Sequence, residues 1–168
     1  MKPWWFRQQK TDLKQPFDTS GFSHLHFAIY HGNMNYFKNT LKHKSQIESK
    51  DSQGFTPLHL AVYCNNLEAV ELLLNNQANI EAMNNCNQTP LHIAAKYGFS
   101  DITELLYIHG AETDIKDSDG KTAFHLACES FDPATIALLL EEWPSFNTLD
   151  NFKHSPALEK FHNYGDDW

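Results

Sequence analysis

The chain has 168 residues, 41% hydrophobic, 13% aromatic and 20% charged, with a formal net charge of -8. That size suits one domain able to bury a core without disulfides or metals, and the aromatic content excludes wholesale disorder. The charge is lopsided, with eight basic groups against three acids in residues 1–50 and five against eighteen in residues 51–168; an acidic surface of that extent argues against nucleic acid as a partner.

The first seventeen residues stand apart from the rest of the chain. Met1-Lys-Pro-Trp-Trp-Phe6 has no apolar core of the secretory type, and no stretch of the chain approaches the ~18 consecutive apolar residues of a transmembrane helix. Trp4, Trp5 and Phe6 lie among Lys2, Arg7, Lys10 and Lys14. One reading is a tag that touches a membrane surface through aromatic and basic groups. The other is a cap over the open apolar end of a repeat array, which the need of any such array for a cap favours.

From residue 18 onward the chain repeats itself every 33 residues. Ser23-His-Leu-His-Phe-Ala28 is succeeded by Thr56-Pro-Leu-His-Leu-Ala61, Thr89-Pro-Leu-His-Ile-Ala94 and Thr122-Ala-Phe-His-Leu-Ala127, and the register continues to Ser155-Pro-Ala-Leu158. Asp18, Asp51, Asn84, Asp117 and Asp150 keep the same spacing, as do Gly21, Gly54 and Gly120, where Asn87 and Lys153 depart. The repeats read as 18–50, 51–83, 84–116, 117–149 and a partial 150–168.

Each repeat holds two short apolar-periodic segments, such as Pro57–Cys64 and Leu67–Leu74, too short to bury their faces alone but able to share a core when stacked. Asn65-Asn66 between them predicts a left-handed residue followed by a helix N-cap. Gly32 and Gly98 occupy the same break, and Asp132-Pro133 supplies an N-cap with proline at the first helical position. Thr56, Thr89 and Thr122 are predicted caps of the first helix. Ala28, Ala61, Ala94 and Ala127 are small enough for close helix approach. Gln77 and Lys44 stand where glycine would be usual, which predicts less regular loops there.

This pattern resembles the ankyrin repeat across residues 18–168. The resemblance implies an all-α solenoid of helix-turn-helix repeats joined by β-turn fingertips. It implies that His26, His59, His92 and His125 hydrogen-bond between neighbouring loops and helices. The spacing of these histidines argues against a shared zinc. It further implies protein recognition on the concave side, through fingertips and the exposed part of each first helix. Carried over position by position, that surface is Phe22, Tyr30, Phe55, Tyr63, Met83, Gln88, Lys96, Tyr97, Lys121 and Glu129. The aromatic members cluster toward the N-terminal half as solvent-facing anchors. The competing reading packs Phe22 and Phe55 against neighbouring turns. The resemblance also marks Asn147 as a turn asparagine of the type that is hydroxylated in the family.

Signatures of catalysis are absent: no Gly-x-Ser-x-Gly, no phosphate-binding glycine loop and no His-Glu-x-x-His. Cys64, Cys86 and Cys128 lack the spacing of a zinc site, and an odd, sparse set fits a reducing, cytoplasmic setting. The expectation is a monomeric, non-catalytic adaptor or inhibitor that binds a protein and needs no cofactor and no metal. Two alternatives remain open, beside self-assembly through Phe22 and Phe55. One is a bacterial effector translocated into a host cytosol, with the acidic tail as signal. The other is a cysteine-dependent enzyme built on Cys64 and His31.

Overall fold

The computed structural model describes residues 19–42 and 46–140. The expectations for Trp4, Trp5 and Phe6, for Lys44, for Asn147 and for the partial repeat 150–168 lie outside the described residues. Within them the chain forms eight helices and no strand: α1 His24–Tyr30, α2 Met34–Leu41, α3 Pro57–Tyr63, α4 Leu67–Asn75, α5 Pro90–Tyr97, α6 Ser100–Ile108, α7 Ala123–Ser130 and α8 Pro133–Leu139. First helices begin at 24, 57, 90 and 123 and second helices at 34, 67, 100 and 133, so the 33-residue period of the sequence is the period of the fold. The chain divides between Pro90 and Leu91 into two units. In the first unit α1 packs on α2, α3 on α4, and α1 on α3; in the second α7 packs on α8 and α6 on α8.

The first helices start where the sequence places caps. The Thr56 hydroxyl accepts from the His59 backbone N–H, while the Thr56 N–H donates back to His59 Nδ1 at 3.2 Å. Ser23 and His26 close the same box. At the end of the helix the chain must reverse. Gly32, Asn65 and Gly98 do so at φ of 67°, 50° and 65°, and Phe131 takes the same left-handed conformation at φ 56°. Asn33, Asn66 and Asp132 then cap the second helix through side-chain oxygens that accept from Tyr36, Ala69 and Thr135 N–H. Such caps contribute about 1 kcal/mol each.

The second reversal corrects one expectation. Gln77 (φ 68°) takes the left-handed turn that Gly110 takes in the next repeat, so its loop keeps the regular path. The core consists of the inward faces of these helices: Leu25, Ile29, Phe37, Leu58, Leu60, Val70 and Leu73 are buried in the first unit, and Leu91, Ile102, Leu106 and Leu126 in the second. The four alanines of the repeated motif, Ala28, Ala61, Ala94 and Ala127, are buried as well.

Candidate functional site

In the second, third and fourth repeats the fingertip is built around one carboxylate or amide at the start of the repeat. Asp51 Oδ1 accepts from Gln53 N–H (2.9 Å) and Phe55 N–H (2.8 Å). Asn84 Oδ1 holds Cys86 and Gln88, and Asp117 Oδ1 holds Asp119 and Lys121, in the same way. The turn closes through Asp51 N–H to Phe55 C=O at 3.0 Å and its counterparts. This column is visible in the sequence as a spacing; its role as the knot of the turn comes from the structure. In the first unit successive fingertips are also joined to each other, Ser52 N–H to Ser20 C=O and Asn85 N–H to Gln53 C=O.

The motif histidines fasten first helix to fingertip. His26 Nε2 lies 2.9 Å from Phe55 C=O, His59 Nε2 3.0 Å from Gln88 C=O, and His92 Nε2 3.2 Å from Lys121 C=O. A carbonyl only accepts, so Nε2 carries the proton and donates. Nδ1 of His26 and His59 is then the acceptor for the Ser23 and Thr56 N–H. The rings of His26 and His59 are therefore neutral by construction. Burial lowers the pKa of all three, that of His59 to about 4, against the smaller raising effect of the carbonyl bonds. His26 and His59, committed at both nitrogens, and His92, held at Nε2, serve architecture, as the resemblance implied for them.

The histidines and turns together set the positions of the predicted surface residues. Phe22 and Phe55 are half-buried, not bare. Phe22 stacks on His26 at 5.3 Å between ring centroids and Phe55 on His59 at 5.5 Å. The expectation that they are solvent-facing anchors is corrected to that extent, because each ring covers the apolar face of the neutral imidazole beside it. Each also meets the first-helix residue eight positions on. Phe22 and Tyr30 touch edge-on at 5.8 Å, and Phe55 and Tyr63 lie 6.3 Å apart. In the fourth repeat the same two positions are Lys121 and Glu129, joined by an ion pair of 2.6 Å. Glu129 accordingly raises the Lys121 pKa. Fingertip and first helix thus present one continuous face within a repeat.

Two further members are open to solvent. Met83 is 39% exposed, and its carbonyl accepts from Lys50 Nζ at 2.8 Å. Tyr97 is 37% exposed, stacked on Phe99 at 5.8 Å, with the Lys96 ammonium 5.9 Å from its ring centre. Gln88 is half-buried in its fingertip. The residue that sequence reasoning missed is Phe131, 86% exposed on a left-handed backbone at the end of α7. Cys64 is half-buried, whereas Cys86 and Cys128 are exposed. Among the described residues no group of three His, Cys, Asp or Glu side chains comes together to hold a metal ion, and no helix is long and apolar enough to cross a membrane.

A family model for ankyrin repeats, three copies long, matches residues 5–84 and 76–150. No curated protein matches the chain significantly.

Proposed function

This chain belongs to the ankyrin-repeat family, whose repeats serve as protein-interaction modules, and on that premise we propose that it holds a protein partner on its fingertip and first-helix face without acting on it chemically. The observation that carries the reading is the pairing of positions eight residues apart: Phe22 with Tyr30, Phe55 with Tyr63, and Lys121 with Glu129. Aromatic pairs in the first unit give way to an ion pair in the second. An apolar segment of a partner fits the pairs of the first unit, and a charged segment fits the pair of the second. Because backbone and histidine bonds fix the turns, little ordering cost is incurred on binding. An adaptor or a competitive inhibitor needs no more than this.

The test is capture of a partner from cell lysate by the intact chain and by two double variants, each checked for helix content by circular dichroism. Met83→Glu with Tyr97→Ala alters exposed members of the face. Glu71→Ala with Glu104→Ala alters exposed positions of the second helices. We expect the first pair to lose the captured protein and the second to keep it. The opposite result would overturn the reading.

A further inference from the structure

In the first unit the fingertip and first-helix face carries two aromatic pairs in register. Phe22 with Tyr30 belongs to the first repeat and Phe55 with Tyr63 to the second. All four rings are half-buried, and the stacks of Phe22 on His26 and of Phe55 on His59 hold the fingertip members in place. The two fingertips are joined by Ser52 N–H to Ser20 C=O at 3.1 Å, and α1 packs on α3. Packed helices lie about 8–10 Å apart, so the aromatic pair recurs along the face at about that interval.

Charge is sparse on this face and of one sign. Neither α1 nor α3 contains an acid, a lysine or an arginine. In the fingertips, residues 19–22 and 51–55, the one acid is Asp51. It is only 7% exposed, and its Oδ1 is taken by the Gln53 and Phe55 N–H groups. Lys50, by contrast, is exposed and adjoins the Phe55 strand, because Asp51 N–H donates to Phe55 C=O. Its ammonium reaches Met83 C=O at 2.8 Å and makes no ion pair among the described residues. A cationic segment therefore finds no acid on these helices and fingertips, whereas a carboxylate finds Lys50.

We propose that this face takes an extended, proline-rich segment of the partner in the polyproline II conformation, with prolines three residues apart and an acidic residue beside them. The inference rests on the reading that the face holds a protein. A polyproline II helix has three residues per turn and rises about 3.1 Å per residue, which puts positions i and i+3 on one side about 9 Å apart. That interval matches the helix spacing, so one proline packs on Phe22 and Tyr30 and the next on Phe55 and Tyr63. Neighbouring same-side positions lie about 7 Å apart in a strand and about 5–6 Å apart in an α-helix, and both fall short of the second pair. Aromatic-lined grooves suit such a segment, which is stiff before it binds and loses little freedom on docking. The acidic residue accepts from Lys50 Nζ, since the bond to Met83 uses one of three ammonium donors.

The test selects a phage-displayed library of random dodecapeptides on the full chain. Recovered sequences should carry prolines three apart with Asp or Glu nearby. With these sequences made as labelled peptides, moving the second proline by one residue should weaken binding about tenfold, as should Tyr30→Ala with Tyr63→Ala in a chain that keeps its helix content. Lys50→Glu should reverse the charge preference, so that peptides with Lys in place of the acid bind about threefold better than the originals. A lysine that only supports the loop would weaken both kinds of peptide alike. Lys50 is exposed, so this arm stands even if the tyrosine variant fails to fold. Recovery of sequences without the proline spacing, of amphipathic helical sequences, or of none overturns the inference, and so does a preference for acid that survives Lys50→Glu. The protein-binding reading outlives those results if Met83→Glu with Tyr97→Ala still abolishes capture from lysate. If that variant keeps its captured protein, both fall.

Discussion

His59 is fully buried and hydrogen-bonded at both ring nitrogens, so a proton added to it has nowhere to go without breaking a bond to Thr56. Its folded pKa of about 4 lies below the ordinary 6.5, with burial as the main cause. The unfolded chain therefore binds an extra proton between those values. Stability is full above pH 6.5 and falls as pH drops toward 4, by about 3 kcal/mol from this residue alone. His26 and His92 are shifted in the same direction. Urea unfolding at pH 7 and pH 5 should show the loss, and the His59 ring resonances should titrate near 4; titration near 6.5 would contradict the assignment. Two other residues carry avoidable costs. Thr103 Oγ1 is buried with no hydrogen-bond partner among the described residues, at a position that is Phe37 or Val70 in other repeats. Thr103→Val should stabilise the fold by about 1 kcal/mol. Phe131 bears left-handed strain of roughly 1–2 kcal/mol. Phe131→Asn, copying Asn65, should raise Tm by a few degrees. No gain in Tm for either variant would show that the cost is relieved in some other way.

The turn geometry decides what each element tolerates. Gly54 sits at φ 78°, and a Cβ there would lie 2.7 Å from the Asn85 backbone nitrogen and 2.5 Å from Asn85 Oδ1. Gly32 has a similar φ of 67° with no described atom within 4 Å of the same point. Both alanine variants incur the left-handed penalty of about 1 kcal/mol. Gly54→Ala must in addition push two fingertips apart. It should therefore lower the denaturation midpoint well beyond Gly32→Ala, and equal losses would mean the fingertip contact contributes nothing. Much at this scale is legible in the sequence. Asn65-Asn66, Gly98 and Asp132-Pro133 announce reversal and cap through residue types suited to those backbone angles. Gln77 and Phe131 are not legible, because nothing in a glutamine or a phenylalanine advertises a positive φ; the flanking helices impose it. The stacking of Phe22 on His26 and of Phe55 on His59 is hidden for a similar reason. Sequence periodicity tells which residues are apolar, but not that a neutral imidazole offers each ring a flat apolar neighbour.

For the whole molecule, the period of 33 residues makes the fold readable, since one motif repeated in register specifies every helix pair. What the period does not show is where repetition stops mattering. Phe27 and Leu60 are equivalent in sequence, yet one is exposed and the other buried, because burial depends on a neighbour outside the repeat. The proposed binding face has the same character: its positions follow from the repeat, its chemistry from the residues that differ between repeats. Tyr63, Tyr97 and Glu129 are first-helix members of that face, and protein recognition by this chain stands or falls on whether a partner rests there. The most direct measurement places a photo-crosslinking amino acid at Tyr63, Tyr97 or Glu129, and separately at Glu71 or Glu104 on the second helices, in chains that keep their helix content. Recognition through the fingertip and first-helix face predicts that a captured partner is joined covalently from the first three positions and not from the other two. Crosslinks confined to Glu71 or Glu104 would contradict it.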